Sequence, residues 1–380
     1  MDFRLTDEQQ QIQQMVREFA ESEIKPHVME WDESQHFPLD VIKQLGKLGM
    51  LGAIFPEKYG GAGLSYIDYV NIIEELAVVE SGVALAVAAH NSLAAGHIYL
   101  AGNETQRMEY LPKLTSGEWI GCWALTEPSS GSDASGMHTV AVQDGDTWVL
   151  NGTKNFITNA SYAQVAVVLA VTDRTDKKHG ITAFAIEMDR PGIRAGKKEN
   201  KLGMRMSDTA ELILEDCRVP ASAVLGKVGY GFIDAMKVLD GGRISIGALA
   251  LGIARGAYEA ARSYAKQRTA FGQPIAGFQA IQFMLADMAT EIEAARLLCH
   301  RAAAMKDAGE KTTTWSAMAK LYASEVAVRA SDKGVQIHGG YGFVKEYPAE
   351  KYYRDVKLCT IGEGTSEIQR MVIARALLAM

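Results

Sequence analysis

Asp144-Gly145-Asp146-Thr147-Trp148-Val149-Leu150-Asn151-Gly152 decides how the chain divides. Asp144-Gly145 and Asn151-Gly152 are hairpin dipeptides, because type I′ turns need positive φ at both central residues and Asn, Asp and Gly accept it best. Thr147 to Leu150 lies between them as a β-rich run, and similar runs follow at Val165 to Val171, Ile181 to Ile186 and Ala210 to Leu214. This texture begins near Cys122 and ends near Pro220. The block it marks is predicted to be a compact antiparallel barrel or sandwich.

Working outward, both flanks read as helical. Thr6 with Gln9 has capping-box spacing, and Ile12, Val16, Phe19 and Ile24 continue an amphipathic helix that Pro26 is expected to stop. Further helices are predicted at Leu39 to Leu48, Tyr66 to Val79, Val83 to Ala101 and Glu104 to Leu114, with Glu57 to Gly63 a loop by composition. Downstream, Ile281, Leu285, Met288, Ile292 and Ala295 share one helical stripe, and long helices follow at Trp315 to His338 and Ser366 to Leu378. The expected fold class is α+β multidomain. An all-α N-terminal domain (1–121) precedes an antiparallel β-barrel middle domain (122–226) and an all-α C-terminal four-helix-bundle domain (227–380). No βαβ alternation is present, and no GxGxxG opens a helix after a strand. Any dinucleotide must therefore be held by means other than a Rossmann fingerprint.

Apolar residues make up 48% of the 380 and charged residues 22%, enough for a large interior under an ordinary soluble surface. A formal charge of −7 argues against nucleic-acid binding through the phosphate backbone. Cys122, Cys217, Cys299 and Cys359 form no CxxC pair and the His residues are scattered, so neither a metal site nor a disulfide framework is expected. The start, Met1-Asp2-Phe3-Arg4, lacks the apolar h-region of a signal peptide. Ser81 to Gly102 is weakly polar but interrupted by His90, Asn91 and Ser92, and reads as a buried bundle helix instead of a membrane span. Cytoplasm is the expected location.

Four separated segments resemble acyl-CoA dehydrogenases, in family order along essentially the whole chain. They are Leu125-Thr126-Glu127-Pro128-Ser129-Ser130-Gly131-Ser132-Asp133; Asn151-Gly152-Thr153-Lys154-Asn155-Phe156-Ile157-Thr158-Asn159; Gln267-Arg268-Thr269-Ala270-Phe271-Gly272 with Gln336-Ile337-His338-Gly339-Gly340-Tyr341-Gly342; and Gly362-Glu363-Gly364-Thr365-Ser366-Glu367-Ile368-Gln369. The resemblance implies FAD as cofactor, an acyl-CoA as substrate, an electron-transfer flavoprotein as acceptor, and a homotetramer built as a dimer of dimers. It implies that Leu125 and Thr126 hydrogen-bond the polar edge of the flavin ring and that Thr158 contacts its N5 region. Phe156, where relatives often carry Trp, would cover the ring face without an indole N–H.

By the same match, Arg268 offers a forked donor to the diphosphate of a neighbouring subunit's FAD, with Gln336, Gly339 and Gly340 approaching the same dinucleotide. Phe271, Gln279, Thr365 and Glu367 complete the implied cofactor contacts. Ser132, Asp240, Arg243 and Gly364 are implied along the substrate. Taken singly, these residues have plainer readings. Thr126, Phe156 and Thr158 read as ordinary barrel residues, Gly339-Gly340 as a helix C-cap, and Arg268 as a surface salt bridge. Asp240 and Arg243, three apart, suit an intrahelical ion pair. His338 reads as structural.

Glu363 is the implied general base. A thioester α-proton is weakly acidic, so two adjustments are needed. In the family a flavin ribityl hydroxyl and the backbone N–H of the catalytic Glu polarise the carbonyl, while desolvation raises the carboxylate pKa. With the β-carbon against flavin N5, proton and hydride would leave opposite faces and give a trans-2-enoyl-CoA. The plainer reading of Glu363 is an acid capping the helix near Thr365 or Ser366. Some relatives place the base at the position held here by Gly242, which cannot serve. Many carry a bulky aromatic where this chain has Gly362, which leaves acyl length and branching open. Gly82, Ala84, Ala86, Ala88 and Ala89 either line the pocket or pack helices closely. The alternatives on the same scaffold are an acyl-CoA oxidase or other flavin oxidase, and a non-catalytic flavin-binding relative.

Overall fold

The computed structural model describes residues 4–176 and 179–378. Met1 to Phe3, the first residues of the stretch read for a leader, lie outside them. The first block holds α1 (Asp7–Phe19), α2 (Val28–Ser34), α3 (Leu39–Lys47), α4 (Tyr66–Val79), α5 (Ser81–Ala88), α6 (Gly96–Ala101) and α7 (Glu104–Thr115). The Thr6–Gln9 capping box forms as expected. Pro26 does not stop the helical run: it sits in the first turn of a 3₁₀ segment, Lys25–His27, where a missing N–H costs no hydrogen bond, and α2 follows directly. Between α5 and α6 the chain widens into a π-helical stretch, Ala89–Ala95. Ser81–Ala101 is long and apolar enough to cross a membrane, but 83% of its most apolar window is buried inside the protein.

The middle block is a sheet of β1 (Gly121–Ala124), β2 (Val140–Asp144), β3 (Thr147–Thr158), β4 (Val165–Val171), β5 (Ile181–Glu187), β6 (Ile193–Lys198), β7 (Thr209–Pro220) and β8 (Val224–Leu225). Pairing runs β6-β7-β3-β2-β4-β5-β8, with β1 added on β4. The pairs are antiparallel except that β1 and β2 run parallel to β4. The predicted hairpin forms, but one residue on: Asp144 pairs with Thr147, the loop is Gly145-Asp146, and of these only Gly145 has positive φ (60°). Asn151-Gly152 makes no hairpin. It lies inside β3, where the register jumps from Leu150↔Cys217 to Gly152↔Leu214. Asn151 and Asp216 bond each other there through Asp216 N to Asn151 Oδ1 (2.8 Å) and Asn151 Nδ2 to Asp216 Oδ1 (3.1 Å). The residues that could turn the chain instead continue a long strand opposite a bulge in β7, where Asp216 takes φ 49°.

The third block begins with α8 (Gly231–Gln267), crosses a small hairpin of β9 (Thr269–Ala270) and β10 (Gln273–Pro274), and continues through α9 (Gln279–Asp307) and α10 (Thr313–His338). It ends with α11 (Ala349–Asp355) and α12 (Ser366–Leu377). The stripe on α9 packs as predicted: Met288, Ile292 and Ala295 are buried and Ile281 and Leu285 partly so, and Cys299 extends it, facing a core shared with Ile72, Leu76, Leu249 and Ile253. The first and third blocks thus bury one interior. β4 is buried on both faces, Val168 toward Phe184 and Leu212, and Val167 and Leu169 toward Leu111 and Leu114 of α7.

A buried ammonium joins all three blocks. Lys351 Nζ lies 2.7 Å from Glu80 Oε2 and 2.5 Å from Asp355 Oδ2. Asp355 also accepts from Ser81 Oγ and from Met204 N, both at 2.6 Å. Removing one partner of such a cluster leaves a buried charge uncompensated, which costs about 3–5 kcal/mol. Lys351→Met is therefore expected to lose about that much stability in urea unfolding; a loss below about 1 kcal/mol contradicts the tie.

Candidate active site

Glu363 lies between a 3₁₀ turn (Val356–Thr360) and α12, in a backbone conformation that side-chain-bearing residues seldom take: φ is 54° at Glu363 and 94° at Gly364. The segment is held from two sides. Gln369 Nε2 donates to Glu363 O (3.1 Å) and Gly364 O (2.9 Å), and Lys320 Nζ donates to Gly364 O (2.7 Å). Gly364 cannot be replaced cheaply, since a Cβ there would lie 2.7 Å from Gln369 Nε2 at an already positive φ. Glu363 is not a helix cap. Thr365 is, its Oγ1 accepting from Ile368 N. The Glu363 carboxylate is turned inward instead, with Oε2 buried and without a hydrogen-bond partner.

That oxygen points at α8. A Cβ built on Gly242 would fall 1.9 Å from Glu363 Oε2 and 3.0 Å from Leu93 Cδ2, so the absence of a side chain at 242 is what admits the carboxylate. Burial pushes the Glu363 carboxyl up to about 7, against the opposing pull of the Lys320 and Arg243 charges. Arg243 is buried and bound to Asp240, Nη1 to Oδ1 at 2.7 Å, while the other Asp240 oxygen accepts from Thr313 Oγ1 at 2.7 Å. The intrahelical pair therefore forms and also borders the site. Beside it Ala89 and Leu93 pack with Val238 and Leu239 as an apolar wall. Gly82 is buried, and Ala84, Ala86 and Ala88 belong to the shared interior. The atoms nearest to a Cβ built on Gly362 belong to Leu358, at an ordinary contact distance of 3.6 Å, so a larger side chain has room there.

A second patch is built by β3. Between Lys154↔Leu212 and Ile157↔Ala210 the register slips again, and Phe156 takes φ 57°. This bulge turns the Phe156 ring outward to 60% exposure. Thr158 stays opposite Thr209 at the strand end. Next to the bulge, Asn155 N donates to Thr126 O (2.8 Å), and buried Lys154 donates to Leu125 O (3.2 Å) and Glu127 Oε1 (2.8 Å). The Leu125-Thr126 segment is thus fixed by a buried ion pair. Ser132 is exposed in the loop that follows.

A third patch forms where α8 and α10 end. Arg268, Phe271, Gln279, Gln336, Gly339 and Gly340 are exposed, Phe271 at 95%. Arg268 lies over the Tyr341 ring, and His338 stacks on Tyr264 at 4.4 Å while Nδ1 bonds Gly334 O. A cavity of about 520 Å³ is lined there by Arg268, Gly339, Gly340 and Tyr341. Another, of about 470 Å³, is lined by Lys357, Ile361, Thr365 and Glu367 at the start of α12. An extended group carrying a diphosphate and a ring suits this donor set: a guanidinium and open glycine backbone in one place, a helix N-terminus in another, and an exposed aromatic with tethered loop carbonyls in the third.

Within the chain, Glu363, Arg243, Asp240 and Gly364 come together with Gly242. Phe156 and Thr158 on β3, with Leu125 and Thr126 beside them, form a separate patch from the Arg268 group. Lys320 and Gln369 were missed by sequence reasoning as the side chains that hold the Glu363-Gly364 backbone, as was Lys154 behind Leu125. Lys320 carries a detectable signal, a single lysine among Ala317, Ala319, Ala323 and Ala327 on the buried face of α10.

Models of the acyl-CoA dehydrogenase N-terminal, middle and C-terminal domains match residues 6–118, 122–217 and 229–378. The short-chain specific acyl-CoA dehydrogenase of Clostridium acetobutylicum is 48% identical over 98% of this chain and 99% of its own length. Butyryl-CoA dehydrogenase from Megasphaera elsdenii superposes with a TM-score of 0.98 at 46% identity, covering 100% of both chains. A chain solved in work on the electron transferring flavoprotein of Acidaminococcus fermentans and flavin-based electron bifurcation gives 0.99 at 48% identity, again over 100% of both.

The raised Glu363 pKa has a consequence measurable without any ligand. A carboxyl whose folded pKa lies above its ordinary 4.5 contributes stability below that value, and loses it as pH rises through about 7. Glu363→Gln, which stays neutral, should match the native chain near pH 4.5 and exceed it by about 2–3 kcal/mol above pH 7. Urea unfolding at the two pH values checks this; a gap that does not change with pH contradicts it.

Proposed function

The chain belongs to the acyl-CoA dehydrogenase family and shares its acyl-CoA dehydrogenation, and from that premise we propose that Glu363 removes the α-proton of a short-chain acyl-CoA bound against α8. The observation that carries this reading is the buried, unpaired Glu363 Oε2 facing Gly242, with its pKa raised to about 7. Such a carboxylate is a stronger base than one in water and is poised near neutral pH. The Glu363 N–H donates to no group of the described chain, which leaves it free for a thioester carbonyl oxygen. The Ala89, Leu93, Val238 and Leu239 wall excludes water from the acyl chain. The short-chain assignment rests on the substrates named for the similar proteins.

The family is FAD-dependent. FAD, when bound, supplies the acceptor for the β-hydride. Leu125, Thr126, Phe156 and Thr158 would hold its ring, with Thr365 and Glu367 near the start of α12. Arg268, Phe271, Gln279, Gln336, Gly339 and Gly340 would serve a neighbouring chain, which is why they stand exposed. Ser132, Asp240, Arg243 and Gly364 would lie along the acyl-CoA. Phe283, Phe343 and Leu297, exposed at 63%, 85% and 42%, support burial against further copies in a homotetramer. The similarity to a chain studied with an electron transferring flavoprotein supports such a protein as the acceptor. The four cysteines are free and buried, in keeping with a reducing cytoplasm.

Two variants test the base. Glu363→Gln should lower kcat with butyryl-CoA and a dye acceptor by about a hundredfold or more while flavin stays bound. Gly242→Ala, which displaces the carboxylate, should lose about as much. Full activity in Glu363→Gln overturns the assignment. Turnover with oxygen matching turnover with the dye favours an oxidase.

A further inference from the structure

We propose that Lys320 is the positioning residue for Glu363: it tethers the backbone that carries the base and supplies the cation beside which its carboxylate ionises. This rests on Glu363 as the base.

Lys320 is fully buried on α10. Its Nζ makes one hydrogen bond, 2.7 Å to the carbonyl of Gly364, the residue after Glu363 and the one with the most positive φ in the segment. Among the described residues it has no carboxylate within ion-pair distance. That is an expensive choice for a tether. A neutral donor could bond the same carbonyl without burying a charge, and Gln369 already does so. What the ammonium adds is its charge.

The groups that face Lys320 are few. Glu363 and Glu367 attract its proton from the loop and α12, Arg243 opposes it from α8, and Cys359 faces it from the preceding turn as a thiol that burial keeps neutral. Burial pushes its own ammonium down to about 8. Around Glu363 the charged neighbours are Lys320 and Arg243, and the Tyr69 hydroxyl faces it from α4. Arg243 is already committed to Asp240 at 2.7 Å, so much of its charge is answered before it reaches the base. Lys320 is the cation left over. Its attachment to Gly364 O fixes both the distance of that charge and the strained backbone that aims Oε2 at Gly242. Burial thus keeps the carboxylate basic, and the Lys320 charge opposes it so that the pKa does not climb so far that the base stays protonated at neutral pH.

The test is the pH profile of kcat/KM with butyryl-CoA and a dye acceptor, measured on the holoenzyme for Lys320→Met, Lys320→Gln and Lys320→Arg. Flavin content and melting temperature serve as checks on folding. Losing the charge should move the acid limb upward by about one unit in both neutral variants. Lys320→Gln keeps a donor for Gly364 O, so it should retain more of kcat than Lys320→Met. Lys320→Arg stays charged and should return the limb to its native position. If Lys320→Met does not fold, the Gln and Arg variants carry the same comparison. An unmoved limb in the neutral variants overturns the inference. Glu363→Gln in the same assay separates the two claims. If it is inactive while the limb stays put, only the role of Lys320 fails; if it is fully active, the base assignment fails first.

Discussion

A carboxylate oxygen buried without a hydrogen-bond partner is what the rest of this structure has to accommodate. Leaving Glu363 Oε2 in that state opposes folding once the group ionises. Its position is set by what packs around it. The oxygen faces a helix that lacks a side chain at 242, and α8 is itself locked among α4, α9 and α10 in one shared interior. The backbone behind it is held at positive φ by Lys320 and Gln369. Buried ion pairs brace the scaffold farther out. Glu74 meets Arg255 and Arg296 between α4, α8 and α9, and Lys351 ties Glu80 to Asp355. Each of those carboxylates has a cation within ion-pair distance, and among the described residues Glu363 has none. Unpaired buried carboxyls of this kind concentrate at functional sites.

Much of the scaffold was legible from periodicity. β4 came out residue for residue, and the α9 stripe packs as its spacing requires. Local propensity failed where a dipeptide had more than one use. Asn151-Gly152 can turn a chain, but Asn151 finds Asp216 on β7 and β3 continues past a bulge in that neighbour. Pro26 can end a helix, yet at the start of a 3₁₀ turn its missing N–H offends nothing. Both errors arise because tertiary partners decide among conformations that sequence leaves open.

The site was less legible than the fold. Glu363 between two glycines reads equally well as a cap, and only the resemblance of the surrounding segments favoured a base. The structure removes the capping reading by placing Thr365 at the N-cap. Gly242 was legible as a place where no base can stand; that it also makes room for the Glu363 carboxylate needed coordinates, because the two positions are far apart in the chain. Lys320 and Gln369 act through backbone carbonyls of the loop, contacts that leave no spacing pattern. Gly362 sharpened in a different way. A larger side chain would fit there against Leu358, away from the contacts that hold Glu363.

The central claim is that this buried carboxylate sits within reach of an acyl-CoA bound against a flavin, and an anaerobic visible spectrum tests it most directly. Addition of butyryl-CoA to the purified native protein should bleach a yellow flavin spectrum within the mixing time, and the same addition to Glu363→Gln should leave it yellow. A native protein that is colourless, or one that stays yellow with every short-chain acyl-CoA offered, contradicts the account.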